Sequence, residues 1–426
     1  MLGRHALPRS HPSRGGERDA RAQLDAREAR VTLARMRAVY NIVFLAALVV
    51  VGDVTCKPSS TVASSAPSDA ASPAPSDAAS PAPDASAGAV DSALDGAALY
   101  ASLCAVCHAA DATGYRADNA PSLVNRTFLE SATDDLIRRS IVDGRPGTSM
   151  AAYGRERGGP LDPDAVGRIV AWIRSKGPAV VQLPARASGD AKRGAPIYAA
   201  KCERCHGNAQ ARATAIHLAN PRFLEIASDS FLAYAIAEGR PGTPMEAWKA
   251  TLDAQQIDDV VAFVRGFAAP PVAGTLPAPT GKEPLVINPN GKHPSFKLRD
   301  DRFVSIDQVK RALEEKRRMI ILDARPPSDW MRVHVTGAVS VPYHDQKRLA
   351  EVPNDGTWAI AYCACPHHLS GELVDALRKR GVKTAAVLDE GILEWHRRGY
   401  PVIAAPGVEA PPKIAPPFVP PVPKGP

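Results

Sequence analysis

Cys104-Ala-Val-Cys107-His108 and Cys202-Glu-Arg-Cys205-His206 each place two thiols one helical turn apart, with an imidazole directly after the second. Thiols so spaced can form thioethers with the two vinyl groups of a haem, and the adjoining histidine then lies beneath the iron as proximal ligand. One such motif could also arise by chance or form half of a zinc site. Two copies, offset by 98 residues from Cys104 to Cys202, sit inside a longer repeat, and the haem reading follows from the repeat.

The repeat continues downstream. Phe128-Leu-Glu, a helical stretch and Gly144-Arg-Pro-Gly-Thr-Ser-Met150 follow the first motif, and Phe223-Leu-Glu, a similar stretch and Gly239-Arg-Pro-Gly-Thr-Pro-Met245 follow the second. Phe and Met are 22 residues apart in both copies. A thioether is a soft iron ligand, and Gly and Pro shape a loop that can carry it to the open side of a haem. Met150 and Met245 are therefore read as the second axial ligands, in preference to two core methionines on loops. Gly96-x-x-x-Tyr100 and Gly194-x-x-x-Tyr198 precede the cysteine pairs on short amphipathic helices. N-cap signals at Asp162-Pro163 and Asp253 open a later helix in each copy, on which Trp172 and Phe263 occupy matching places and are expected to pack against the first helix.

On these residues the segment resembles tandem class I cytochrome c domains, expected over residues 95–178 and 188–268, all-α, with two covalently bound c-type haems. The resemblance implies Cys104, Cys107, His108 and Met150 as cofactor-binding residues of the first, and Cys202, Cys205, His206 and Met245 of the second. His108, Met150, His206 and Met245 would be the iron ligands. Asn119-Ala-Pro121 looks like the family's proximal proline, whose carbonyl holds the histidine ring. The second copy has only Asn220-Pro221, at a different spacing.

Residues 1–35 are Arg-rich and lack apolar periodicity, and Met36-Arg37 precedes the apolar run 42–51. That run is short for a bilayer span and reads as the core of a secretory signal, with Met1 and Met36 both candidate starts. Asp53-Val-Thr-Cys56 resembles a bacterial lipoprotein site, departing from it at Asp53 and Thr55, and makes Cys56 a candidate for lipidation. The Ala/Ser/Pro/Asp stretch 57–94 cannot bury a core and reads as a tether. Together these point to the periplasmic side of a bacterial membrane. Of the formal charge of +7, nine arginines against five acids before Cys56 account for +4. The remainder is small, and nothing clusters basic with aromatic residues, which argues against a nucleic-acid partner.

After a Pro/Gly/Lys-rich stretch read as a linker (269–295), strands and helices alternate, as in a parallel α/β sheet. Leu322-Asp-Ala-Arg325, His334-Val-Thr-Gly-Ala338, Ala361-Tyr-Cys363 and Leu388-Asp-Glu-Gly391 with Trp395 make residues 296–405 resemble a rhodanese-like domain, ahead of a Pro-rich tail, 406–426. The resemblance puts Cys363 at the strand end as the catalytic candidate, in a loop of amides at a helix N-terminus that would lower a thiol pKa and stabilise a persulfide. The loop departs from the family pattern: Cys363-Ala-Cys365-Pro-His367-His368 has no Arg, and Pro stands where Gly is common. Three readings stay open: a sulfurtransferase or persulfide site, with Cys365 as second thiol; a silent binding module; and a metal site from Cys363, Cys365, His367 and His368. Asp323 and Arg325 read as a structural pair. The whole is expected to be a multidomain one-electron carrier serving other redox proteins or respiratory complexes. Its third domain binds or handles sulfane sulfur or, alternatively, oxidises a sulfur compound at Cys363 and feeds the electrons to the haems.

Overall fold

The computed structural model describes residues 94–117, 119–267, 274–364 and 367–411. The chain divides into units 1–79 and 80–426, and the described residues all belong to the second. Cys56, the apolar run before it, most of the 57–94 tether, Cys365 and the tail beyond 411 lie outside the described residues.

Two helical repeats come first. α1 (Gly96–Leu103), α2 (Ala105–His108), α3 (Arg126–Ser131), α4 (Asp134–Asp143) and α5 (Pro163–Arg174) recur as α6 (Ala191–Lys201), α7 (Glu203–His206), α8 (Pro221–Ile226), α9 (Asp229–Glu238) and α10 (Ala254–Arg265). Side chains cap the N-termini as anticipated: Asp162 accepts from the Ala165 amide, and Asp253 forms a reciprocal capping box with Gln256. In each repeat the first helix crosses the last at backbone contact. A Cβ on Gly96 would lie 2.1 Å from the Arg168 carbonyl oxygen, and one on Gly194 1.9 Å from that of Asp259. Only glycine fits either crossing. Four residues on, Tyr100 stacks on Trp172 (4.2 Å between centroids) and Tyr198 packs on Phe263 (5.2 Å), the pairings the repeat implied.

The third region is built on a six-stranded sheet in the order β1-β3-β6-β7-β2, with β5 also on β3. In chain order it runs β1 (Val286–Ile287), β2 (Phe303–Val304), α11 (Ile306–Glu314), β3 (Met319–Asp323), α12 (Pro327–Trp330), β4 (Val333–Val335), β5 (Val339–Ser340), β6 (Trp358–Tyr362), α13 (His368–Lys379), β7 (Ala385–Leu388), α14 (Gly391–Arg397) and β8 (Val402–Ala404). β2, β3, β5, β6 and β7 are parallel, as expected. β1 is not: it pairs antiparallel with β3 through Val286–Ile320 and Ile287–Met319, so the sheet is mixed. It also lies within the stretch read as linker, because two apolar residues are enough to cover the free edge of β3 yet too few to show a period.

Side chains alternate across this sheet. Met319, Ile321, Ile360 and Tyr362 face one core with Trp395, while Ile320, Leu322, Ala359, Ala361 and Cys363 face the other. That second core is continuous with the apolar residues of both helical repeats. The face carrying Cys363 is thus the face turned toward the helical part of the molecule.

Candidate functional site

In the first repeat the Cys104 amide bonds to the Tyr100 carbonyl and ends α1, and α2 then carries Cys107 and His108. The Tyr100 hydroxyl donates to the Ala109 carbonyl (2.7 Å), and its counterpart Tyr198 to that of Gly207 (2.6 Å). A buried tyrosine therefore fixes the backbone directly after each histidine. His108, 8% exposed, donates from Nδ1 to the Pro121 carbonyl at 2.9 Å. His206 donates from Nδ1 to the Ile216 carbonyl at 2.8 Å. Asn220-Pro221 does something else: it opens α8 as N-cap and first residue. In both rings the bond holds Nδ1 as donor, and Nε2 makes no hydrogen bond among the described residues.

Burial lowers both imidazole pKa values against the opposing carbonyl bonds, favouring the neutral form that can ligate a metal. Cys104, Cys107, Cys202 and Cys205 form no disulfide. Burial pushes Cys104 up to about 12 and Cys202 up to about 11, so both remain thiols. Two unbridged thiols beside a neutral imidazole of fixed tautomer fit a c-type haem.

Met150 and Met245 close the same loop twice. In the first, the Arg145 amide donates to the Met150 carbonyl (2.7 Å), the Thr148 hydroxyl to the Arg145 carbonyl (2.7 Å), and the Met150 amide to the Thr148 hydroxyl (3.1 Å). In the second the same bonds link Arg240, Thr243 and Met245 at 2.8, 2.7 and 3.2 Å. Gly144 and Gly239 start these loops at φ of 62° and 63°. Both methionines are partly buried.

The sequence reading missed how the repeats meet. Asn125 donates across the boundary to the Pro241 carbonyl (2.9 Å), and Asn220 donates back to the Pro146 carbonyl (2.9 Å). The exchange is reciprocal: the asparagine opening α3 or α8 in one repeat holds the methionine loop of the other. The Thr127 hydroxyl donates to the Gly239 carbonyl (2.7 Å), and Tyr234 to Glu130 (2.9 Å). The signal was present in the duplicated Asn before Phe-Leu-Glu and the duplicated Arg-Pro before Gly-Thr.

Cys363 follows β6 and is 1% exposed, with Sγ 3.3 Å from the Ser370 hydroxyl on α13. Gly391 must be glycine, since at φ 68° its Cβ would lie 2.7 Å from the Cys363 carbonyl oxygen, which accepts from the Ile392 amide. His367, in left-handed backbone at φ 81°, directs Nε2 to Asp389 Oδ1 and to the Asp389 carbonyl, both at 2.8 Å. No group of three or more metal-ligating side chains occurs among the described residues, of which Cys365 is not one. Asp323 and Arg325 form a bidentate buried pair, at 2.9 and 2.6 Å, to which Tyr362 adds a hydroxyl at 2.8 Å.

The third region joins the first repeat beside its cysteines. The Tyr343 hydroxyl donates to the carbonyl of Leu103, the residue before Cys104, at 2.9 Å, and lies 3.2 Å from the Tyr153 hydroxyl. Ser328 donates to the Ala152 carbonyl at 2.6 Å. Among the described residues no helix is long and apolar enough to cross a membrane.

Residues 91–173 and 189–264 match the family model described as cytochrome c oxidase, cbb3-type, subunit III, and residues 305–398 match the rhodanese-like domain. The chain is 30% identical over 182 residues to the cbb3-type cytochrome c oxidase subunit FixP of Bradyrhizobium sp. (strain ORS 278), covering 40% of this chain and 60% of that protein. It is 26% identical over 182 residues to subunit CcoP of Azospirillum sp. (strain B510), covering 38% and 58%. Over 92 residues it is 33% identical to the probable adenylyltransferase/sulfurtransferase MoeZ of Mycobacterium tuberculosis (strain ATCC 25618 / H37Rv), covering 21% and 23%. The chain thus spans about three fifths of the length of the oxidase subunits it matches. Two cytochrome c domains, similar to the cbb3-type subunit III model and of a kind that binds c-type haem, are followed in this chain by a rhodanese-like domain.

Proposed function

We propose that this chain is a dihaem c-type electron carrier. Each cytochrome domain attaches one haem covalently, through Cys104 and Cys107 in the first and Cys202 and Cys205 in the second. His108 with Met150, and His206 with Met245, are the axial pairs. The observation that carries this reading is the duplicated site: two thiols beside a neutral imidazole whose Nδ1 is tied to a backbone carbonyl. A c-type haem supplies one-electron exchange at its iron, and thioether ligation favours the ferrous state, suiting a mid- to high-potential carrier.

The protein's own residues do the positioning. Pro121 and Ile216 orient the imidazoles, Tyr100 and Tyr198 fix the chain behind them, and the self-bonded Arg-Pro-Gly-Thr loops hold the methionine backbones. Its partners are other redox proteins or respiratory complexes, in line with the oxidase subunits it resembles, on the periplasmic face of a membrane to which a lipid on Cys56 tethers it. A pyridine haemochrome assay of the purified chain should give two covalent haems, with a methionine–iron charge-transfer band lost in Met150→Ala together with Met245→Ala. A single haem per chain, or haem extracted by acidified solvent, sinks the reading.

One observation favours a second reading, in which sulfur chemistry at Cys363 feeds electrons to the haems: the rhodanese-like domain binds the backbone next to Cys104 through Tyr343. Reduction of the haems by thiosulfate, sulfide or a persulfide donor tests it. If Cys363→Ala reduces at the wild-type rate, the coupling is wrong and the third domain only docks a partner.

A further inference from the structure

The two cytochrome domains carry the same motif but not the same surface around it. Aligning Cys104 with Cys202 pairs Leu103 with Lys201 and Val106 with Arg204, and the third residue past each methionine pairs Tyr153 with Trp248. Leu103 is 1% exposed, Tyr153 is buried, and Val106 packs against the core. Lys201 and Arg204 are exposed at the same helical positions, and Trp248 is half-buried, with the Lys201 ammonium 4.9 Å from its ring centroid. The helices are alike in both repeats, so the difference lies in what covers each motif.

In the first domain the cover is the rhodanese-like domain. α13 packs on α2, and the Tyr343 hydroxyl donates to the Leu103 carbonyl at 2.9 Å and lies 3.2 Å from that of Tyr153. A lysine in the place of Leu103 would have to bury its ammonium under this contact. In the second domain Glu203 is partly buried and accepts from Asn208 at 2.8 Å. Its neighbours Lys201 and Arg204 form no ion pair among the described residues. Ile216, whose carbonyl holds His206, adds an apolar side chain that is 37% exposed. Cations set around aromatic and aliphatic side chains have the composition of a protein-docking surface, and their charge selects a partner of opposite sign.

We propose that the rhodanese-like domain caps the Cys104–Cys107 face, and that the equivalent Cys202–Cys205 face is the chain's docking site for an acidic one-electron redox protein. This rests on the dihaem reading above, and it gives the two repeats different tasks. In each exchange one electron leaves the second domain and reduces the partner. The first domain, closed to partners by its cap, replaces that electron across the boundary between the two domains. A reducing partner drives the same sequence in reverse.

The test uses the full-length protein, its haems counted first by pyridine haemochrome so that failure of the dihaem reading is seen separately. Hydrogen–deuterium exchange at low ionic strength, with poly-L-glutamate as the acidic probe, should show protection of the peptide around Cys202 and Cys205 and no change around Cys104 and Cys107. Lys201→Gln combined with Arg204→Gln should abolish that protection, as should high salt. Stopped-flow oxidation of the reduced protein by hexacyanoferrate(III) should give one phase proportional to oxidant and a second, independent of it, as the first domain refills the second. The double variant should slow the proportional phase by about threefold or more at low ionic strength and match the wild type at high. A double variant that retains two haems and is still protected by poly-L-glutamate would overturn the proposal. So would two oxidant-proportional phases in the wild type, a measurement that needs no variant to fold.

Discussion

His344 gives the rhodanese-like domain an acid limit that can be calculated. The residue follows Tyr343, which binds the Leu103 carbonyl of the first cytochrome domain, and its Nδ1 is buried with no hydrogen-bond partner among the described residues. Burial pushes its pKa down from 6.5 to about 4, against a smaller opposing pull from Asp345. Above the unfolded value both states are neutral and His344 contributes no pH dependence. As pH falls from 6.5 toward 4, the unfolded chain takes up a proton that the folded chain refuses, so stability drops through that window and levels off below it. Integrated between about pH 7.5 and about pH 4.5, the loss is about 2–3 kcal/mol. His344→Phe removes the titrating group and the unpartnered nitrogen while keeping an aromatic ring against Tyr343 (5.2 Å between centroids in the wild type). Urea unfolding of both proteins at each pH, followed by tryptophan fluorescence, isolates this residue from other titrating groups. The expected result is a wild-type deficit relative to the variant that grows on acidification. If that difference changes by less than about 0.5 kcal/mol across the range, the ring is not held neutral by burial and the reasoning fails.

Two further expectations follow from close contacts. Gly194→Ala forces a Cβ to within 1.9 Å of the Asp259 carbonyl oxygen, so α6 and α10 must part, costing about 3 kcal/mol or more. Gly167→Ala, in α5 with nothing within 4 Å of its Cβ, should instead stabilise by about 0.5–1 kcal/mol, and thermal unfolding of the pair separates packing from helix propensity. Arg325→Ala leaves Asp323, 0% exposed, without its cation and should cost about 3–5 kcal/mol, measured by the same unfolding. Asp323→Leu combined with Arg325→Met should recover much of the loss, an outcome that would be absent if the pair served only to orient the Cys363 loop.

The features legible in the sequence are those written into side-chain type at fixed spacing. Gly96 and Tyr100, repeated as Gly194 and Tyr198, appeared as a motif before the helix crossing and the carbonyl bond gave it a reason. Trp172 and Phe263 packed where their matching places put them. The strands of the third domain were readable because buried parallel strands form apolar runs. What escaped was carried by backbone or by distance. The carbonyl that holds His206 belongs to Ile216, and any residue type has a carbonyl. β1 is two residues long in a Pro-rich stretch. Tyr343 and Leu103 are 240 residues apart, and no local pattern encodes that contact.

The position of that contact bears on how the two chemistries are related. In a parallel sheet the carboxyl ends of the strands lie along one edge, where α/β domains place their sites. Here Arg325 follows β3, Tyr343 follows β5 and Cys363 follows β6, so the edge that carries the candidate thiol also carries the tyrosine that binds the first cytochrome domain. α13, which begins just beyond Cys363, packs on the helix bearing Cys107 and His108. A domain kept only as a tethered adaptor could have docked by either end of its sheet, or by its helices. Docking by this edge brings the surroundings of the buried Cys363 thiol beside the segment bearing Cys107 and His108. In the second reading proposed above, the same contact sets the order of transfer: electrons released at Cys363 would meet the first cytochrome domain before the second.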